Sequence, residues 1–184
     1  TYHHNSGGDP ESITDLTYDQ LIEFYKSHYH PSNAVFMTFG NIPPVELQTR
    51  MEEQALNRFD ALDINIEVPD EKRYFSPVRV EEGYALDEES VAGKTHHVLA
   101  WLLGESIDLK EQLKAHLLSR VLMDNSASPL RAALESSELA SAPSPLCGLE
   151  DSNRQMSFMC GLEGSEPEHA AAFEKLVFET LEKV

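Results

Sequence analysis

The sequence predicts an α+β fold in which helices with clear start signals alternate with short apolar strands. Two features predict it: a capping-box pattern at residues 17–20, which marks the start of a helix, and an alternating apolar pattern at residues 155–162, which is typical of a strand. A change of composition at residues 61–77 divides the 184 residues into two blocks of predicted elements. A chain of this length holds one ordinary domain or two small ones.

The first block begins with a helix. Thr17 is placed to cap it, and Gln20 three residues later completes a capping box. Pro31 disfavours helical geometry at His30, so we expect the helix to end there. Its apolar residues recur at helical spacing and predict one buried stripe: Tyr18, Leu21, Ile22, Tyr25 and Tyr29.

A buried strand and a second helix follow. Residues 34–39 are a short apolar run that ends at Gly40, which favours a buried strand. Pro43 and Pro44 open the second helix, where a proline in the first turn loses no hydrogen bond. Its predicted apolar face consists of Leu47, Met51, Ala55 and Phe59.

Residues 61–77 mix acidic side chains and prolines without a sustained period. We interpret them as a linker between residues 1–60 and residues 78–184. The first block has too few predicted strands to bury its own helices, so it does not form a complete fold by itself.

The second block is predicted to open with two strands, at residues 78–86 and 95–103, joined as a hairpin-like pair. Asp108, with Glu111 three residues later, marks the start of a helix. The apolar face predicted for this helix is Leu109, Leu113, Leu117, Val121 and Leu122.

The remaining elements are a short helix, a loop, a strand and a final helix. Ser128 and Pro129 start the short helix, which runs to about Glu135, and residues 136–149 are predicted to be a loop. The strand is predicted by the alternation of Met156, Phe158, Cys160 and Leu162 with more polar residues. The final helix follows Pro167, and its predicted inward residues are Phe173, Leu176, Val177, Leu181 and Val184.

The charge balance restricts the possible partners. The formal net charge is −18, with 14 Lys and Arg against 32 Asp and Glu. This argues against nucleic acid and against anionic membrane surfaces, because both require a basic footprint. A negative field suits cationic peptides, although acidity that serves only solubility is equally compatible with the composition.

A search for catalytic or metal-binding patterns finds no convincing active site. No His-Glu-x-x-His or inverted His-x-x-Glu-His motif occurs among the eight histidines; the nearest pattern has Ser165 where the inverted motif has its first histidine, followed by Glu168 and His169. Neighbouring histidines such as His96 and His97 point to opposite faces of a strand, and a serine hydroxyl is a poor zinc ligand. The two cysteines, Cys147 and Cys160, lack metal-type spacing and are interpreted as ordinary thiols in a reducing compartment.

Two stretches of the chain resemble one family. The first contains Ser6-Gly7-Gly8-Asp9-Pro10 and His30-Pro31-Ser32-Asn33, and the second contains Ser128-Pro129-Leu130 followed by Ala133-Leu134-Glu135-Ser136. Both are similar to the pitrilysin/insulin-degrading family of inverted-motif zinc metallopeptidases, in its presequence-protease-like branch. They occur in the family's order and cover most of the chain.

The resemblance implies an internal piece of two consecutive metallohydrolase-type α/β sandwich domains with mixed or antiparallel sheets and helices on one side. Residues 1–60 would be the C-terminal part of the first, catalytic-type domain, and residues 78–184 the N-terminal part of the second, non-catalytic domain. In this family two histidines and a glutamate bind zinc, and the glutamate within the motif activates water. The resemblance places all of these outside this sequence, so no catalytic or metal-binding residue is assigned here.

The implied function is that of a scaffold and chamber-wall segment of a zinc-dependent endopeptidase that degrades unfolded peptides. The expected partners are peptide substrates, including cationic ones, and the remaining domains of the same polypeptide. Two alternatives stay open: a segment of a non-catalytic pseudo-peptidase subunit with an assembly role, and an isolated acidic peptide-binding module. The expected compartment is the cytoplasm, or an organelle interior in a eukaryote.

Overall fold

The computed structural model describes Asn5 and residues 7–184. The chain divides into two compact units, residues 1–69 and residues 70–184. We call them the N-terminal and C-terminal units. The division falls inside the segment for which the sequence predicts a linker.

The N-terminal unit consists of two helices and short 3₁₀ turns. Helix α1 spans Tyr18–His28 and helix α2 spans Pro44–Gln54, with 3₁₀ turns at Ile13–Asp15, Pro31–Asn33 and Leu56–Arg58. The predicted capping box is confirmed: the Gln20 N–H donates to Thr17 Oγ1 over 3.3 Å, and the Thr17 N–H donates to Gln20 Oε1 over 2.9 Å. Pro44 is the first residue of α2, as the sequence predicts.

The predicted buried surfaces of this unit are wrong. Residues 34–39 form no strand, and Val35, Met37 and Phe39 are 97%, 92% and 107% exposed. The stripe of α1 also faces solvent, since four of its five residues are exposed and only Ile22 is half-buried. Both surfaces lack a partner within this unit: its described residues contain no strand that could pair with residues 34–39 and no sheet on which α1 could pack.

The C-terminal unit is built on an antiparallel sheet with a long central strand. Strand β4 (Gln155–Ser165) pairs on one side with β1 (Thr95–Glu105) and on the other with β2 (Ala142–Pro143) and β3 (Gly148–Glu150). Antiparallel strands together with helices confirm the α+β class.

The pairing of β1 corrects one prediction. The predicted hairpin partner, residues 78–86, forms no strand, and β1 instead pairs with β4, where Trp101 lies opposite Phe158. The polar side chains of Arg79, Glu81 and Glu82 interrupt the apolar pattern of residues 78–86. Side-chain contacts hold this segment instead: the Tyr84 hydroxyl donates to the Lys94 carbonyl, and Arg79 forms an ion pair with Glu174.

Two short strands lie in the segment predicted as a loop. β2 and β3 occur within residues 136–149 or just beyond them, and each pairs with β4 over only two or three residues. A prediction from hydrophobic periodicity misses both strands, because this segment is rich in serine, alanine and proline. Pro143 is tolerated because β2 lies at the edge of the sheet.

Three helices bury one side of this sheet. They are α3 (Leu109–Met123), α4 (Pro129–Glu135) and α5 (Ala170–Leu181), the last preceded by a 3₁₀ turn at Pro167–His169. Their inward side chains join alternate residues of β4 in one core: Leu122, Met123, Leu130, Leu134, Phe158, Cys160, Leu162, Phe173 and Val177. The predicted alternation in β4 and the Asp108 cap of α3 are therefore confirmed.

The face predicted for α3 is largely wrong. Leu122 is buried, but Leu109, Leu113, Leu117 and Val121 are 77%, 61%, 56% and 55% exposed. The buried residues of α3 are instead Ala115, Leu122 and Met123, of which Leu122 and Met123 join the core. At the chain end, Val184 is also exposed rather than inward.

Candidate functional site

Among the residues that the structure describes, the ionisable side chains form no cluster suited to a metal ion. Six of the eight histidines lie in the part of the chain that the structure describes, and His3 and His4 lie outside it. Within the described part, no three residues among His, Cys, Asp and Glu stand close enough to hold an ion. The donor set that a zinc site needs is therefore not present in these residues, and they do not fit the metal that the resemblance implies.

His96 and His97 lie on opposite faces of β1, as their adjacent positions predict. His96 is exposed and has an edge contact with the Tyr84 ring, with the centroids 5.6 Å apart. His97 is buried against Phe173, and its Nε2–H donates to the Glu166 carbonyl over 2.9 Å. His97 therefore ties β1 to the start of the last helix.

The near-match to an inverted zinc motif is a structural contact. The Ser165 hydroxyl, which is buried, donates to the Leu139 carbonyl over 2.6 Å, and His169 Nδ1–H donates to the same oxygen over 2.9 Å. Glu168 is exposed. Since both polar groups are used by one main-chain acceptor, they are not directed at an ion.

His116 pairs with an acidic side chain. Its Nε2 atom lies 2.9 Å from Asp151 Oδ2, and both side chains are partly exposed. The contact joins α3 to the turn between β3 and β4. It resembles the His–Asp part of a catalytic triad, but no described serine or cysteine donates to the other ring nitrogen of His116, so it has no nucleophile to activate.

The first of the motifs that carry the resemblance forms a turn. The Gly7 and Gly8 N–H groups donate to Asn5, and Gly8 adopts a left-handed φ of 85° that favours glycine. The Asp9 carboxylate accepts from the Ser12 hydroxyl over 2.7 Å and from the Glu11 N–H, and these bonds lower the pKa of Asp9.

Pro10 continues this turn into the first 3₁₀ helix. Ser6, the remaining residue of the motif, lies outside the described residues. The described motif residues therefore shape the chain before α1.

The second motif closes the end of α1. His30 Nδ1 accepts from the Ser32 N–H over 3.1 Å, and Pro31 opens the 3₁₀ turn. The Asn33 side chain donates to the His28 carbonyl over 3.1 Å, and the Ser32 hydroxyl accepts from the Leu62 N–H over 3.0 Å. These bonds satisfy main-chain groups, so the motif is again structural.

The third motif starts helix α4. The Ser128 hydroxyl is buried, accepts from the Asn125 N–H over 3.3 Å and donates to the Arg120 carbonyl over 3.4 Å. Pro129 is the first helical residue, and Leu130 is completely buried in the core. This motif fixes the corner between α3 and α4.

The two cysteines are free thiols inside the C-terminal unit. Burial raises the pKa of Cys160 to about 12, and the nearby Cys147 adds to the increase. Burial also raises the pKa of Cys147, whose sulfur accepts from the Gly161 N–H over 3.2 Å. A thiol with a raised pKa is a poor nucleophile, so neither cysteine is suited to catalysis.

The excess carboxylates lie at the surface. The adjacent pairs Glu52–Glu53, Glu81–Glu82 and Glu88–Glu89 are all exposed. The buried polar residues of the described chain are His97, Ser128, Ser144 and Ser165, with no carboxylate among them. The negative charge is thus available to a partner in solution.

A shallow groove of about 670 Å³ lies in the N-terminal unit between Phe36, Thr38 and helix α2. Its α2 side contains Leu47 and Met51 next to Glu52. The groove has no described histidine or cysteine in its lining and offers apolar contact rather than chemistry.

Comparison with known proteins places the chain in a family. A family profile described as "Peptidase M16 inactive domain" matches residues 15–184. The chain therefore belongs to the M16 peptidase family, in agreement with the predicted resemblance. No described helix combines the length and the apolar character that crossing a membrane requires.

Individual relatives from several eukaryotes are named presequence proteases. The chain is 34% identical over 189 residues to "Presequence protease, mitochondrial" of Xenopus tropicalis, covering all of this chain and 18% of that protein. It is 35% identical over 188 residues to "Presequence protease 1, chloroplastic/mitochondrial" of Arabidopsis thaliana, covering all of this chain and 17% of that protein. The Aspergillus oryzae presequence protease is 38% identical over 172 residues, with 90% of this chain and 16% of that protein covered. The chain thus spans less than a fifth of the length of these relatives.

Proposed function

We propose that this chain is a scaffold and chamber-wall segment of a zinc-dependent endopeptidase that degrades unfolded peptides. The observation that carries the proposal is the match along the whole chain to proteins named presequence proteases, over 18% of their length. The matched domain is described as the inactive one of the family. The segment would therefore support catalysis without performing it.

The same proposal includes the domain organisation. Residues 1–60 would end a first peptidase-type domain, residues 61–77 would link, and residues 78–184 would begin a second. Two observations support this division: the compact units separate between Pro69 and Asp70, and the N-terminal unit has no buried residue among those described. A set of helices without a core is what a piece of a larger domain looks like.

Zinc would be bound by residues of the longer polypeptide outside this chain. The described residues offer no three-ligand group, and Ser165 and His169 are engaged by the Leu139 carbonyl. No step of hydrolysis is therefore assigned to this segment.

The segment's contribution to substrate binding would be electrostatic. Its exposed carboxylates would raise the local concentration of basic, extended peptides in a chamber. The compartment would be an organelle interior, because the relatives are named mitochondrial or chloroplastic and two free thiols suit a reducing environment.

The test uses a polypeptide of the relatives' length that contains this chain. It is expected to contain zinc, to cleave unfolded peptides, to lose cleavage with a chelator and to prefer basic peptides at low salt. Raising the salt to about 0.5 M should weaken that preference, because the Debye length shrinks. A longer polypeptide that folds but neither binds zinc nor cleaves peptides would contradict the proposal and favour a pseudo-peptidase subunit. A preference unaffected by salt would contradict the electrostatic part alone.

A further inference from the structure

The exposed side of helix α3 carries a continuous apolar row. Leu109, Leu113, Leu117 and Val121 are spaced four residues apart, and each is more than half exposed. At 1.5 Å per residue the row is about 18 Å long. Just before the helix, Ile107 is also exposed. A contiguous apolar surface left exposed on a helix is a candidate interaction surface.

The spacing of this row specifies the shape of its partner. Residues four apart form one of the ridges that helices use when they pack together, and ridges of this kind interdigitate in the commonest class of helix–helix contact. The row therefore fits the groove of a second helix. We call Leu109, Leu113, Leu117 and Val121 the α3 ridge.

The charge beside the ridge specifies the chemistry of its partner. Three of the four Lys, Arg, Asp and Glu residues of α3 are basic, although acidic residues outnumber basic ones in the whole chain by 32 to 14. Lys110 and Lys114 follow the ridge on one side and Arg120 on the other, and all three are exposed. Lys114 is paired with Glu111 over 2.6 Å, whereas the side chains of Lys110 and Arg120 have no ion-pair partner in the described part of the chain. A helix flanked by carboxylates would complement this face.

We infer that the α3 ridge is the docking surface for an acidic amphipathic helix belonging to another part of the same polypeptide. The available length supports this occupant, because the relatives are more than five times as long as the segment they share with this chain. The inference rests on the proposed longer polypeptide, but it does not depend on peptidase activity.

The test measures how accessible the ridge is to a thiol reagent. Leu113→Cys is introduced into this chain and into a polypeptide of the relatives' length, and maleimide labelling is followed by peptide mapping, which separates the new thiol from Cys147 and Cys160. Lys175→Cys on α5 is the control, since Lys175 is 74% exposed and lies outside the ridge. In the longer polypeptide, labelling of Leu113→Cys relative to the control should be slower by about tenfold or more.

Charge reversal tests the acidic partner. Lys110→Glu with Lys114→Glu in the longer polypeptide should restore about tenfold faster labelling of Leu113→Cys, and the neutral pair Lys110→Gln with Lys114→Gln should have a smaller effect. Circular dichroism and the Lys175→Cys control verify folding.

Three results would overturn the inference. They are equal labelling in the two polypeptides, protection that appears only as the protein concentration rises from about 0.1 to about 10 µM and so indicates a second copy, and protection unaffected by charge reversal. Ridge protection in a longer polypeptide without zinc or peptidase activity would reject the proposed function and leave this inference standing.

Discussion

Ser165 and His169 donate hydrogen bonds to the same acceptor, the main-chain carbonyl oxygen of Leu139, over 2.6 and 2.9 Å. The two side chains tie the end of β4 and the start of the last helix to the segment before β2. A pair that resembles a degenerate metal motif in the sequence is therefore a structural clamp.

The clamp predicts a non-additive mutational effect. Ser165→Ala should lower the free energy of unfolding by about 1 kcal/mol, because His169 still satisfies the Leu139 carbonyl. Ser165→Ala with His169→Ala should cost more than the sum of the single changes, since the carbonyl then loses both donors. Urea unfolding of the three variants measures this, and simple additivity would contradict a shared acceptor.

The close approach of β1 and β4 predicts that Gly161 does not accept a side chain. A Cβ atom at this position would lie 2.5 Å from the His97 carbonyl oxygen and 3.1 Å from Ser144 Cβ. Gly161→Ala should therefore destabilise the chain by about 1–3 kcal/mol, because main-chain atoms cannot easily move away. Gly83→Ala is the control, since nothing lies within 4 Å of its Cβ position, and it should be nearly neutral. Equal thermal midpoints for the two variants would contradict the close approach of β1 and β4 at Gly161.

The raised pKa of Cys160 predicts an unreactive thiol. With a pKa of about 12, roughly one molecule in ten thousand carries the thiolate at pH 8. Alkylation of Cys160 in the folded chain should be far slower than in urea and should keep rising between pH 8 and pH 10 instead of levelling near 9. Mass spectrometry of iodoacetamide-treated protein gives both rates. Alkylation at pH 8 as fast in the folded as in the unfolded chain would be incompatible with the buried environment.

The contrast between buried and exposed leucines predicts where stability resides. Leu130→Ala should cost about 2–5 kcal/mol, because Leu130 is completely buried among the helices and β4. Leu113→Ala in this chain should change stability by less than about 0.5 kcal/mol, since its side chain is mostly in water. Denaturant unfolding measures both changes in stability. A large loss of stability for Leu113→Ala would show that the face of α3 that carries Leu113 is buried.

Local signals were predictable from the sequence because their partners are only a few residues apart. The Thr17–Gln20 capping box, the Asp108 cap and the proline that opens α4 each act within one turn of helix. The alternation in β4 was also readable, since one face of that strand is buried. The absence of an inverted zinc motif follows from reading the residues themselves.

Features that depend on distant partners were not predictable. The apolar run at residues 34–39 has the pattern of a strand, but a strand also requires a neighbour that the described residues of the N-terminal unit do not supply. In α3 the leucine spacing identifies an apolar face, but not whether that face or the one with Ala115 and Leu122 meets the sheet. The roles of the Gly7–Pro10 and His30–Asn33 motifs as turns likewise required the hydrogen-bond partners.

The most direct test of the central claim, that catalytic metal is bound elsewhere in a longer polypeptide, is the zinc content of this purified 184-residue chain. Elemental analysis after dialysis against buffer with a weak chelator should find well below one zinc per chain. One tightly retained zinc per chain would contradict the account, because it would place a complete ligand set within these residues.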